Sequence, residues 1–110
     1  MFGQGNMNLG NLKKMAEEMQ SKMARVQEEL KEKVVDGTAG GGVVTAYVNG
    51  AQEIVGIKIK PEVVKPEDSE MLADLIMAAV NQGLEKSRKL SLEEMNKVTG
   101  GLGGLPGLPF

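Results

Sequence analysis

The chain of 110 residues contains neither cysteine nor histidine. That absence removes thiol nucleophiles, disulfides, imidazole bases and the usual ligands of zinc or haem in one step. Carboxylates, Lys and Ser remain, but no nucleophile–base pair or metal-ligand spacing emerges from them. The sequence therefore predicts a binding protein rather than an enzyme, with no cofactor. Aromatic residues are nearly missing too: Phe2, Tyr47 and Phe110 are the whole set. A protein that stacks single-stranded bases on aromatic platforms needs more. No apolar run approaches the roughly 20 residues that cross a bilayer. The first 11 residues are rich in Gly and Asn, without the charged-then-apolar order of a signal peptide. A cytoplasmic protein with no membrane partner is expected, and the lack of Cys agrees with a reducing compartment. A strong excess of positive charge is also lacking. Net charge is −2, so any affinity for polyanions must come from how the charges are distributed.

What is present is periodicity. Leu12, Met15, Met19, Met23, Val26, Leu30 and Val34 recur at steps of three and four, on one stripe about 100° wide. Charged residues fill the other faces, and Glu18–Lys22 and Glu29–Lys33 stand four apart, a spacing that supports an exposed helical surface. The pattern predicts a long amphipathic helix over residues 9–34. Glycines follow at 37 and 40–42, flanked by β-leaning runs at 34–38 and 43–48. The second run ends at Asn49-Gly50, a pair that suits a two-residue hairpin. A third run, 53–60, alternates Val55, Ile57 and Ile59 with Ile54, Gly56, Lys58 and Lys60, and Pro61 stops it. Strands at about 34–60 thus form a three-stranded antiparallel meander. Pro66 and the acidic residues Glu67, Asp68 and Glu70 suit a helix start. Met71, Leu72, Leu75, Ile76, Ala79, Val80, Gly83 and Leu90 mark one face of a second helix, about 67–99. The fold class is α+β, a single domain over 1–100. Residues 101–110, containing only Gly, Leu, Pro and Phe, read as a tail that is disordered or lies on a partner surface.

The first helix, at about 39 Å, outruns a seven-residue strand of about 23 Å. One small sheet cannot cover its stripe, and soluble monomers avoid leaving such a patch open. A second copy covers it most simply, so a homodimer is expected, with Met15, Met19, Met23, Val26 and Leu30 at its interface. The Gly-rich stretch 37–42 lacks the Gly-Lys-Ser/Thr ending of a phosphate loop and leads into a strand, so it reads as a turn. The acidic cluster at 67–70 lacks the spacing of a calcium loop. Basic residues are the remaining candidates. Lys13, Lys14, Lys22 and Arg25 occupy the polar side of the first helix. Lys86, Arg88 and Lys89 cluster in the second, where Lys86, Lys89 and Lys97 share a face. A pattern of this kind is commonest on plain solvated surfaces, and it is also what phosphate contacts need.

An ordered set of segments is more specific. Ala39-Gly40-Gly41-Gly42-Val43-Val44, Val48-Asn49-Gly50, Ile57-Lys58-Ile59, Pro61-Glu62, and Glu70-Met71-Leu72-Ala73-Asp74-Leu75-Ile76-Met77 with Ala79-Val80-Asn81 closely resemble the YbaB/EbfC family of nucleoid-associated proteins. The Leu105-Pro106-Gly107-Leu108-Pro109-Phe110 ending is similar to the Pro/Gly-rich ends found there. The resemblance implies a bacterial, cytoplasmic, nucleoid-located homodimer shaped like tweezers, whose helices project from a shared β body and bind double-stranded DNA. It also implies a role in nucleoid organisation and gene regulation. It transfers no fixed set of contact residues, so Lys13, Lys14, Lys22, Arg25, Lys86, Arg88 and Lys89 stand as DNA-binding candidates on charge pattern alone. A second reading makes the chain an adaptor, its seam or tail docking a replication or repair protein.

Overall fold

The computed structural model describes residues 9–98. Helix α1 (Leu9–Glu32) leads into strands β1 (Val34–Ala39), β2 (Val44–Asn49) and β3 (Ile54–Ile59), then two short 3-10 turns and helix α2 (Ser69–Val98). The sheet is antiparallel in the order β1-β2-β3, so the α+β meander between two long helices is as the sequence predicts. The expected tail at 101–110 lies outside the described residues. No described helix is long and apolar enough to cross a membrane. The shape is drawn out: the Cα radius of gyration is 21.1 Å, against about 13 Å for a compact domain of 100 residues.

One side chain of the first stripe belongs elsewhere. Val34 is a strand residue paired with Asn49, because the hairpin that follows ends the helix. The Gly50 amide donates to the carbonyls of Leu30 (2.8 Å) and Lys33 (2.9 Å), satisfying acceptors that a helix terminus leaves open. A Cβ on Gly50 would sit 2.6 Å from Leu30 Cδ2 and 2.8 Å from its carbonyl oxygen, so this glycine serves close approach. Asn49-Gly50 is accordingly not a two-residue turn. The Asn49 side chain closes a longer one, its Oδ1 accepting from the amides of Ala51 and Glu53, both at 3.0 Å, and Gln52 takes the left-handed conformation, at φ 64°.

The core lies between α2 and one face of the sheet. Val44, Ala46 and Val48 of β2 are fully buried. Above them Leu72, Leu75, Ile76 and Val80 pack on a cluster that includes Ala79. Helix α2 comes very close to β1: a Cβ on Gly37 would collide with the backbone of Ala79 and Gly83. The ridge that permits this is Ala79, Gly83 and Ser87, all buried and spaced by four. Ser87 was not part of the sequence reading. Its hydroxyl donates 2.6 Å to the Asn49 carbonyl, so a small polar residue fills a helix–sheet contact without leaving an orphaned group. Met71, counted in the apolar face, is instead half exposed.

Helix α2 crosses β1 and β2 and leaves β3 at the margin. An irregularity between Tyr47 and Val48 pairs Val48 with Ile54 and Ala46 with Ile57. It inserts Val55 as an extra residue, so simple alternation along β3 fails and Ile54 joins Ile57 on the helix side of the sheet. With no helix above them, Ile54 and Ile57 are exposed, as is Val55.

Candidate nucleic-acid interface

The C-terminal half of α1 packs on the body, while its N-terminal half projects. Leu30 (2% exposed) and Val26 (9%) are buried within the chain itself. These two are therefore core of the protomer, and their burial requires no second copy. Met19 and Met23 are half-buried and Met15 is exposed. The helices run antiparallel: Leu30 lies near the Ser87–Asn49 contact, and Lys22, Arg25 and Val26 face Glu94, Lys97 and Val98 across a groove of about 350 Å³. Helix α2 ends beside Lys22, and the remaining 13 residues of α1, about 20 Å, extend past it.

On this arm Lys14, Lys22 and Arg25 line one face together with Ser21, Glu17 and Glu18. Lys14 and Arg25 are about 16 Å apart along the axis. Lys13 points about 100° away from Lys14 and does not join them. All four cations are exposed, and none makes an ion pair among the described residues. The expected Glu18–Lys22 pairing is thus not formed, although both residues border the same depression. Lys86, Arg88 and Lys89 are exposed too, yet neighbours in sequence diverge around a helix: Lys86 and Lys89 share one flank of α2, and Arg88 lies on the other. Lys89 is held 3.8 Å from Glu85.

The structure adds two cations outside that set. Lys97 borders the groove opposite Lys22 and Arg25, and Lys33 reaches the same region from the end of α1. Both bind one acid. Glu94 Oε2 stands 3.1 Å from Lys97 Nζ and 3.3 Å from Lys33 Nζ. Lys33 therefore pairs across the helices and not with Glu29, since it has already left α1. Hydrogen bonds from Lys97 first and Lys33 second hold the Glu94 carboxyl below its ordinary value, against a smaller opposing effect of desolvation. The shared face of Lys97 with Lys86 and Lys89 was visible in the sequence; its convergence with Lys22 and Arg25 depends on the crossing of two helices.

A cationic strip on a projecting helix, with few aromatics and no base-reading motif, suits contact with a phosphate backbone. Comparison with known proteins places this chain more closely. Residues 4–102 match the model of the YbaB/EbfC DNA-binding family. A nucleoid-associated protein of Acetivibrio thermocellus is 57% identical over 101 residues, covering 92% of this chain and 89% of that one. Another from Ruminiclostridium cellulolyticum is 51% identical over 107 residues, covering 97% and 90%. Among solved structures, the uncharacterized protein HP0035 from Helicobacter pylori superposes with a TM-score of 0.67 over 88% of this chain and 98% of its own, at 23% identity, and so shares the fold. With an ordered match over nearly its whole length, the chain belongs to the YbaB/EbfC DNA-binding family.

Proposed function

We propose that the protein binds double-stranded DNA through phosphate contacts made by its projecting helices, acting as a homodimer in the nucleoid. The observation that carries this reading is the strip of unpaired cations Lys14, Lys22 and Arg25 on the arm, continued across the groove by Lys97. Lys13, Lys86, Arg88 and Lys89 flank it and reach the duplex where it bends or wraps. The names of the relatives, nucleoid-associated proteins, support the location. A role in organising the nucleoid and in gene regulation follows from coating DNA without reading base edges. The uncovered residues Ile54, Val55 and Ile57 on β3, a strand with a free outer edge among the described residues, favour a second copy joining there. Two arms then project from one β body. Sedimentation equilibrium at micromolar concentration should return twice the chain mass of 11.7 kDa.

The test is an electrophoretic shift with duplex DNA at several salt concentrations. Engagement of roughly four to six phosphates per dimer gives a slope of log affinity against log salt of about −4 to −5. The variant K14Q/K22Q/R25Q should flatten it by about two or more, because fewer counterions are released. K86Q/R88Q/K89Q should flatten it less, and K58Q/K60Q on the strand should leave it unchanged. Gln keeps helix propensity close to that of Lys and Arg, so circular dichroism should be unaltered. Unchanged binding in both helical variants would reject contact through the arms, and the adaptor for replication or repair proteins would become the better account.

A further inference from the structure

The apolar stripe of α1 continues past the end of α2 with nothing above it among the described residues. Leu9, Leu12 and Met15 are exposed, and Met19 and Met23 are half-buried. They lie on the same side of α1 as the buried Val26 and Leu30, which is the side along which α2 runs. Where α2 stops, beside Lys22 and Val26, the open stretch begins. Residues 99–110 leave α2 at that point.

The sequence of this segment has a period of its own. Gly101-Leu102-Gly103, Gly104-Leu105-Pro106 and Gly107-Leu108-Pro109 are three successive triplets, followed by Phe110. Leucine recurs at every third position, and Pro106 and Pro109 hold φ near the polyproline value. A polyproline II strand has three residues per turn and rises about 3.1 Å per residue. All three leucines then fall on one side, about 9 Å apart. Leu12, Met19 and Val26 of α1, seven residues apart, stand about 10.5 Å apart on theirs. The segment carries no charge, so lying on apolar surface would bury no ion. Reach is ample as well. Twelve residues extend to about 37 Å, while the axis from Val26 back to Leu9 covers about 26 Å.

We infer that residues 101–110 of the same chain lie along the open stripe of α1, taking up as an extended strand the line that α2 leaves. The seam Met15, Met19 and Met23 is thereby covered within the protomer, and the partner copy is met elsewhere. Lys14 and Arg25 point away from the stripe, so the cover leaves the cationic strip open. The inference does not depend on what the strip binds.

Methionine oxidation in the full chain tests it. Met15, Met77 and Met71 are 64%, 57% and 50% exposed in the described structure, so without a cover Met15 should react with dilute peroxide as fast as the other two. With the segment in place Met15 should react several-fold more slowly, and the variant L102S/L105S/L108S should restore its rate. Met15 reacting as fast as Met77 would overturn the inference. So would slow reaction indifferent to the leucine changes, since another copy or another segment would then be the cover. Because the natural chain has no cysteine, the pair A16C/G104C decides which chain supplies it. A disulfide at single-chain mass on a non-reducing gel supports the same-chain contact. One at twice that mass, or formation no faster than in S21C/G104C on the opposite face of α1, overturns it.

Discussion

The body and the arm of this protein are built from the same kinds of residue under opposite rules. In the body, α2 meets β1 so closely that Gly37 faces helix backbone, and the contact surface is Ala79, Gly83 and Ser87. Very little side-chain volume lies between helix and strand there, so any addition must displace backbone. On the arm, long side chains stand outward from a single helix, and neighbours three or four residues apart are the only constraint on them. The difference shows why acidic net charge and DNA binding coexist. Position on an exposed rod decides which charges a duplex meets, and carboxylates elsewhere on the molecule are screened within a Debye length of about 8–10 Å. It also shows where substitutions should hurt folding and where they should hurt only binding.

The largest expected effect is at Gly37. The variant G37A adds one methyl group aimed at the carbonyl of Ala79 and the amide of Gly83, neither of which can yield without lifting the helix. A loss of about 3 kcal/mol of stability is expected, measured by urea unfolding followed by circular dichroism. The same change at Gly41, where a Cβ would meet nothing within 4 Å but φ is +73°, should cost only about 1–2 kcal/mol, through left-handed strain alone. If the two variants were equally stable, close helix–sheet approach would not be what holds the body together.

A smaller loss is expected at Ser87. Replacing it by Ala removes the donor to the Asn49 carbonyl and leaves that buried oxygen without its partner, at a cost of about 1–3 kcal/mol. Asn49 also organises the turn that caps α1, so the damage should reach the arm's attachment. Hydrogen exchange at the Gly50 amide, which donates to Leu30 and Lys33, should quicken in S87A. K14Q/K22Q/R25Q, in contrast, should leave the unfolding midpoint unmoved while weakening DNA binding. Destabilisation by that triple change would mean the arm is more tightly integrated with the body than its exposure suggests.

Element order, sheet topology and both helices were legible because each rests on local periodicity. The stripe from Leu12 to Leu30, the three β-leaning runs and the Gly and Pro breaks all act over a few residues. What escaped depends on crossings. Val34 looked helical by spacing, and only the Gly50 amide at the end of α1 moves it into a strand. Ser87 looked like a surface residue because its partner, Asn49, is 38 positions away. The irregularity at Val55 arises from pairing with Tyr47 and Val48, which no single strand records. For the candidate site, the sequence supplied the cations and their exposure but not their grouping. It treated Lys86, Arg88 and Lys89 as one cluster, whereas the helix separates Arg88 from the other two. It left out Lys97, which the α1–α2 crossing brings to Lys22 and Arg25.

The smallest expected effect lies where arm and body join. Glu94 ties Lys33 at the end of α1 to Lys97 on α2, and those two cations hold its carboxyl below the ordinary value of 4.5. A group whose value falls on folding is more stable folded while it is ionised. Its contribution is therefore fully present above pH 4.5, and it fades as pH drops through the lowered folded value. Both lysine ends are largely open to solvent, at 45% and 72%, so screening keeps the gain small. The variant E94Q keeps a hydrogen-bond acceptor but not the charge. Its unfolding midpoint at pH 7 should fall slightly, and the gap to the parent should close as pH is lowered through the folded value. In DNA binding the sign reverses. Removing an anion beside Lys97 and close to Lys22 and Arg25 frees two cations at the base of the strip, so E94Q should bind duplex DNA somewhat more tightly and with a steeper salt slope. Weaker binding by E94Q would mean that the angle of the arm, set by this clamp, matters more to the duplex than the local charge does.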